Sequence, residues 1–330
     1  MPEILLLVLV ILGALVFDFV NGFHDCANAI ATTVSTRALK PGQAIFLART
    51  LNFVGALAGT AVAYTIGKGV VDLPETRETL VPVLAALIGA IGWDLVTWFY
   101  GLPSSSTHAL VGGLLGAGVA AAGTDVIVWS GIRKIAIGMV VSPVIGFLFG
   151  LGFIVAIFWI FRRAGKGANR VFKVLQIVSA SGMSFSHGLN DAQNAMGIVT
   201  VALLSYGYLD SFVVPLWVKL AAAVAMGLGT GYGGWRIMKT MGMKVAKLEP
   251  VHGFAAETGA GIVIAGMSWL GVPVSTTHCI STTIMGVGAS KRLSAVRWGM
   301  VGNIVVAWIL TVPGAAIIAA PSYWILSLVF

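Results

Sequence analysis

Residues 22–29 read GFHDCANA, and residues 188–195 read GLNDAQNA. Gly22, Asp25, Asn28 and Ala29 recur as Gly188, Asp191, Asn194 and Ala195. A second pair follows in the same order at nearly the same spacing: residues 101–108 read GLPSSSTH, and residues 271–278 read GVPVSTTH. Here Gly101, Pro103, Ser105, Thr107 and His108 recur as Gly271, Pro273, Ser275, Thr277 and His278, and Pro143 matches Pro313. Two motifs repeated in one order mark an internal duplication. The halves are read as 1–166 and 167–330, sharing one membrane and one function.

The membrane comes from composition. Of 330 residues, 58% are apolar or aromatic and only 10% are charged, against about 25% charged in an average soluble domain. Mean hydropathy is +0.96. So few charges cannot cover a soluble surface, which excludes a soluble enzyme, a disordered chain and a disulfide scaffold, and leaves an all-α polytopic membrane protein. The 42 glycines fit closely packed membrane helices. A net charge of +8 would suit nucleic acid, but the basic residues fall in short loops between apolar runs, as membrane topology requires, so no nucleic-acid partner is expected. Cys26 and Cys279 sit in apolar segments, where neither a structural disulfide nor a metal site is expected. The first seventeen residues lack a basic leader and run on without a cleavage site, so they read as a mature transmembrane helix.

Each half predicts the same plan. An apolar run over 2–36 is too long for one span, and Asn21–Asp25 marks its expected break. A return helix covers 43–67. Two arms, 81–100 and 104–122, are joined only by Gly101-Leu102-Pro103, which predicts a re-entrant hairpin, and a final helix runs from 133 to 161. The second half repeats this as 173–204 broken near 187–191, then 212–235, a hairpin over 251–270 and 273–289, and a helix from 297. Three full crossings per half invert the second repeat relative to the first. Charge supports this: predicted inner segments 37–42, 162–173, 236–249 and 291–297 hold fourteen Lys/Arg, against Lys68, Arg77, Arg133 and Lys134 outside. Both termini are therefore expected outside the cell membrane.

Carboxylates at membrane depth are costly and persist where they bind something. Asp25/Asn28 and Asp191/Asn194 each share one helix face. Their hard oxygens, beside a turn expected to unwind at Gly22 or Gly188, suit Na⁺, and a proton could use the same Asp. Asn21 and Asn190 are further candidate ligands. For Asp94 and Glu257 a simple buried hydrogen-bonded acid is the better reading. The hairpin tips have the opposite polarity. Ser105, Ser106 and Thr107, and Ser275, Thr276 and Thr277, open half-helices whose free N–H groups and hydroxyls favour an anion. His108 and His278 follow directly and are read as orienting groups or further contacts. Cation ligands beside anion donors describe a cation-coupled anion symporter. The chain carries no Walker A sequence, which argues against coupling to ATP. An intramembrane hydrolase would need one nucleophile with its base, which a symmetric duplication does not favour. A channel would differ by a far larger conductance.

GFHDCANA and GLNDAQNA resemble the GANDVANA signature of the inorganic phosphate transporter (Pit) family, and both P-x-S-[ST]-T-H hairpins stand in order behind them. His24 departs from the signature's first Asn, Cys26 and Ala192 from its Val, and Gln193 from its inner Ala. The resemblance implies inorganic phosphate as substrate, inverted repeats, no cofactor, and Na⁺ as the usual coupling ion. H⁺ coupling and a metal–phosphate complex are the alternatives. A homodimer is expected only from membrane transporters in general.

Overall fold

The computed structural model describes residues 2–74, 76–163 and 168–330. The expected boundary at 166/167, with Lys166, lies outside them. Among the described residues twelve α-helices follow in order: α1 Pro2–Ser35, α2 Pro41–Ala56, α3 Ala61–Lys68, α4 Leu80–Tyr100, α5 Ser106–Ala122, α6 Trp129–Ile160, α7 Ala168–Tyr206, α8 Leu216–Tyr232, α9 Trp235–Lys239, α10 Pro250–Trp269, α11 Thr276–Ala289 and α12 Trp298–Leu326. A π-helical turn, Thr240–Lys244, extends α9. Outside the helices, strand-like pairing among the described residues is confined to an isolated bridge between Val71 and Ile127. By length and composition four helices could each cross a bilayer, or five if α2 and α3 form one bent span. The longer α7 is kept below that composition by its polar residues.

The expected break in the first helix of each half is not there. α1 runs unbroken through Asn21–Asp25, and α7 through His187–Asp191. The break lies one element later. α2 and α3 meet at 75°, and α8 ends at Gly233, whose φ of +81° turns the chain into α9. Gly22 and Gly188 serve close approach instead of unwinding. A Cβ on Gly22 would stand 2.5 Å from the Met226 carbonyl, and one on Gly188 2.1 Å from that of Asn52. α1 thus packs against α8, and α7 against α2, almost backbone to backbone.

α1 and α7 cross antiparallel. Thr36 near the end of α1 bonds Gln176 near the start of α7, while Asp25 lies beside His187 and Asp191. This is the inversion that an odd number of crossings requires. Along α1 the buried apolar residues up to Phe17 belong to one core cluster and those from Cys26 on to another. Along α7 the order is reversed: Met183 belongs to the second cluster, Ala192 and later residues to the first. The polar stretches 18–25 and 184–191 therefore form a band between two apolar cores.

Each hairpin turns at a glycine in the left-handed region, Gly101 (φ +66°) or Gly271 (φ +65°), which side chains resist. The other half caps each turn: Thr240 donates to the Gly101 carbonyl at 2.9 Å, and Thr65 to that of Gly271 at 2.7 Å. This corrects the inner segment 236–249. Its first part is helical, and Arg236 lies against the first hairpin, with Nη1 2.5 Å from the Phe99 carbonyl and its guanidinium over Trp98 and Phe99. Arg170 and Lys173, placed in the 162–173 loop, stand on the first turns of α7.

Candidate functional site

α5 and α11 begin where their sequences predict, and by the same device. Ser105 and Ser275 are N-caps in extended conformation, and their hydroxyls accept from the His108 and His278 amides at 3.3 and 3.1 Å. Capping uses one of the orphan donors of each first turn and leaves others directed off the helix end. Both tips are buried, Ser104–His108 and Val274–His278 throughout. They also meet: the His108 and His278 rings lie 4.9 Å apart between centroids, and His278 stacks on Trp308 at 3.9 Å. Equivalent residues of the two halves touching each other place the pseudo-two-fold axis between them.

The Asp–Asn pairs face these tips, and all but one of their contacts run across the halves. Asn28 on α1 donates to Thr277 at 2.8 Å and Thr276 at 3.2 Å, both on the second hairpin. Asn194 on α7 donates to Thr107 on the first hairpin at 2.9 Å. Thr277 reaches Asp25 at 3.3 Å, and Thr276 reaches Asp191 at 3.2 Å. Ligand atoms of Asp25, His187 and Asp191 lie within 4.8 Å of one another, all buried. At that range two ionised carboxylates repel by about 3–4 kcal/mol at an effective dielectric near 20. A cation or a shared proton between them removes that cost.

The residues flanking each Asp differ. His24 Nδ1 lies 2.7 Å from Asp25 Oδ1, and its Nε2 reaches Thr97 at 3.1 Å and Ser104 at 3.3 Å. Asn190 takes the equivalent place beside Asp191, donating to Oδ1 at 2.6 Å and to the Val274 carbonyl at 2.8 Å, while its own carbonyl accepts from Ser268. Its amide nitrogen thus holds Asp191 in place, while its oxygen, with one bond accepted, keeps a second lone pair. His187 bridges Asn52 at 3.1 Å and Asp191 at 3.3 Å. Among the described residues neither amide atom of the buried Asn21 finds a partner, and the Asn28 and Asn194 carbonyls and all four ring nitrogens of His108 and His278 share that state. Buried polar groups left this way are expensive, and about half of those among the described residues lie on the two tips and the two Asp–Asn faces. That donor set, hydroxyls and amide nitrogens on one side and carboxylate and amide oxygens on the other, fits an oxyanion and a hard cation together.

The reading of Glu257 as a buried hydrogen-bonded acid holds, but the sequence did not name its partners. Glu257 is the centre of a buried cluster on three helices. Its Oε1 accepts from Thr32, from Thr33 at 2.6 Å and from Gln176 at 3.2 Å, and its Oε2 from Ser179 at 2.6 Å. Asp18 and Asp94 are buried within the polar band; Asp94 lies by the Ser106 hydroxyl, and the Asp18 carboxylate has no hydrogen-bond partner among the described residues. All three acids were visible as charges in apolar segments, but their neighbours were not.

Residues 21–319 match the model of the phosphate transporter family. The chain belongs to the phosphate transporter family. Its relatives include a "Probable low-affinity inorganic phosphate transporter" of Rhizobium meliloti (strain 1021), 52% identical over 98% of this chain and 97% of that one. A Bacillus subtilis (strain 168) protein of the same description is 46% identical over 99% of each chain. Among solved structures, "The sodium-dependent phosphate transporter" superposes with a TM-score of 0.89 at 28% identity, covering 98% of this chain and all of that one. This member of the family is accordingly a multi-pass membrane protein, and the family is one of transporters, not enzymes.

Proposed function

We propose that the chain moves inorganic phosphate across the cell membrane by Na⁺-coupled symport with alternating access, the two halves, 1–166 and 167–330, acting as one transport unit. The observation that carries this reading is the apposition of Asp25 and Asp191 at the antiparallel crossing, both bonded by the second hairpin tip, while Asn194 beside them bonds Thr107 on the first. Phosphate lies between the tips, held by Ser105, Ser106, Thr107, Ser275, Thr276 and Thr277 and by the helix N-termini, with His108 and His278 closing the far side. Sodium is held by Asp25, Asn28, Asp191 and Asn194, with Asn21 and Asn190 as further candidate oxygens. Cation and anion cancel each other's charge, which lowers the cost of occluding either in a low-dielectric site. Uphill phosphate uptake is thereby tied to the sodium gradient. The sodium dependence of the similar transporter of solved structure supports sodium as the partner ion. The basic segments next to the predicted inner loops support both termini facing outward.

A proton can bridge the same two carboxylates, so proton coupling is the second reading. One experiment separates them: uptake of ³²P-phosphate by purified protein in liposomes, with Na⁺ replaced by choline at fixed pH. Sodium coupling expects uptake to collapse in choline; uptake that persists and follows an imposed pH gradient overturns it.

A further inference from the structure

A large cavity lies away from the proposed transport site, on the lipid-facing side, where α1, α2 and α8 meet. It holds about 680 Å³ and is lined by Phe19, Phe53, Val224, Leu228 and Tyr232, with Arg49 and Thr50 at its rim. A second groove of about 500 Å³, entirely apolar, continues from it past Leu12, Val16 and Leu220 and shares Phe19, Val224 and Leu228 with the first. Together they follow α8 from Leu220 to Tyr232. That is about 18 Å of helix, against about 15 Å for one leaflet of a 30 Å hydrocarbon core.

The two ends differ in chemistry. Arg49 projects from the lipid-facing side of α2, about 12 Å of helix from its start at Pro41. Its guanidinium rests over the Phe46 ring at 5.2 Å and meets no carboxylate among the described residues. Gly231 leaves room beside it, since a Cβ there would lie 3.7 Å from Arg49 Cδ. An unpaired arginine at this depth is costly unless it snorkels or finds an anion. Snorkelling to water leaves the long apolar groove beneath it unexplained. The site is also one-sided. Gly55 meets the Phe185 carbonyl as Gly229 meets that of Phe19, and this equivalence pairs Arg49 with Ala223. The symmetry that serves transport therefore does not call for the charge. α2 starts and α8 leads toward the basic segments that read as cytoplasmic, where anionic lipids reside.

We infer that this groove binds one anionic phospholipid of the inner leaflet, its phosphate on Arg49 and one acyl chain along Phe53, Val224, Leu228 and Leu220. The test is native mass spectrometry of the full chain extracted from vesicles of phosphatidylcholine mixed with phosphatidylglycerol. The wild type is expected to retain one phosphatidylglycerol in preference to phosphatidylcholine. Arg49→Ala should lower that retention about fivefold, the effect of about 1 kcal/mol per basic residue, and Arg49→Lys should keep most of it. Val224→Trp leaves the charge and fills the apolar channel, and it too should release the lipid. Sodium-dependent phosphate binding by each variant confirms that it is folded. Unchanged lipid retention in Arg49→Ala or Val224→Trp overturns the inference. So does displacement of the lipid by free inorganic phosphate, or efficient disulfide cross-linking between copies carrying Leu228→Cys, which would make the occupant a second copy.

Discussion

The two halves share a framework and differ in what hangs on it. The first half reads Asn21-Gly22-Phe23-His24-Asp25, the second His187-Gly188-Leu189-Asn190-Asp191. Each carries one histidine and one asparagine before its aspartate, in exchanged positions. In the first half the histidine points to the hairpin, at Thr97 and Ser104; in the second it points to α2, at Asn52. The ends of the molecule differ more. Around Glu257 one end is tied by four hydrogen bonds from α1 and α7. The equivalent place at the other end holds Leu87, packed in the apolar cluster that includes Val10, Ile198 and Val199. Symmetry thus sets where helices and helix ends go, while the asymmetric side chains give the two ends different seals. An apolar seal opens by exposing hydrocarbon, a polar one by exchanging its bonds with water. Under the proposed alternating access, the chain has two unlike gates to open.

The comparison can be broken at its shared part or sharpened at its unlike parts. The largest effect is expected at the aspartates. Asp25→Asn and Asp191→Asn should each lower sodium-stimulated ³²P-phosphate uptake in proteoliposomes by about a hundredfold or more, since breaking a buried charge pair costs about 3–5 kcal/mol. Wild-type rates in either variant would remove the shared site. Next comes the backbone contact common to both halves. Gly188→Ala forces a Cβ to 2.1 Å from a carbonyl oxygen and Gly22→Ala to 2.5 Å, so both should lower the melting temperature of the purified protein. Overpacking of this kind costs about 1–3 kcal/mol, with Gly188→Ala the worse. Equal stability to wild type would mean that α7 and α2 do not approach so closely.

Smaller effects probe the differences. Glu257→Leu would make the polar end resemble the apolar one, but it strands Thr32, Thr33, Gln176 and Ser179. A loss of about 1–3 kcal/mol in unfolding free energy is expected, and a stabilised variant would show that these donors find water freely. His24→Asn copies the second half's residue into the first. It gives up the contacts to Thr97 and Ser104, and half-saturating phosphate in uptake assays should rise about fivefold, as for a net hydrogen bond of about 1 kcal/mol. A rise of the same size in His187→Asn would say that the exchange of positions carries no consequence.

Much of this was legible in the residues because polar groups stand out against an apolar chain. The duplicated Asp–Asn and Ser–Thr motifs picked out residues that the fold brings together as the candidate site, and Pro103 and Pro273 located the starts of α5 and α11. Gly22 and Gly188 were misleading for a physical reason. A glycine beside a buried polar residue serves unwinding or close packing equally well, and only the partner helix, here α8 or α2, decides. The Glu257 cluster was hidden because its donors come from distant stretches of α1 and α7 with no shared period. Arg236 looked like a loop charge because its partners, the Phe99 carbonyl and two aromatic rings, carry no charge to announce them.

The most direct measurement is equilibrium binding of labelled phosphate to purified protein as sodium replaces choline at constant ionic strength, in the wild type and in Asp25→Asn. Coupled occupancy is reciprocal. Phosphate should therefore bind more tightly with rising sodium in the wild type and become indifferent to sodium in the variant. Phosphate affinity in the wild type that does not respond to sodium would contradict a site in which the two ions are held together.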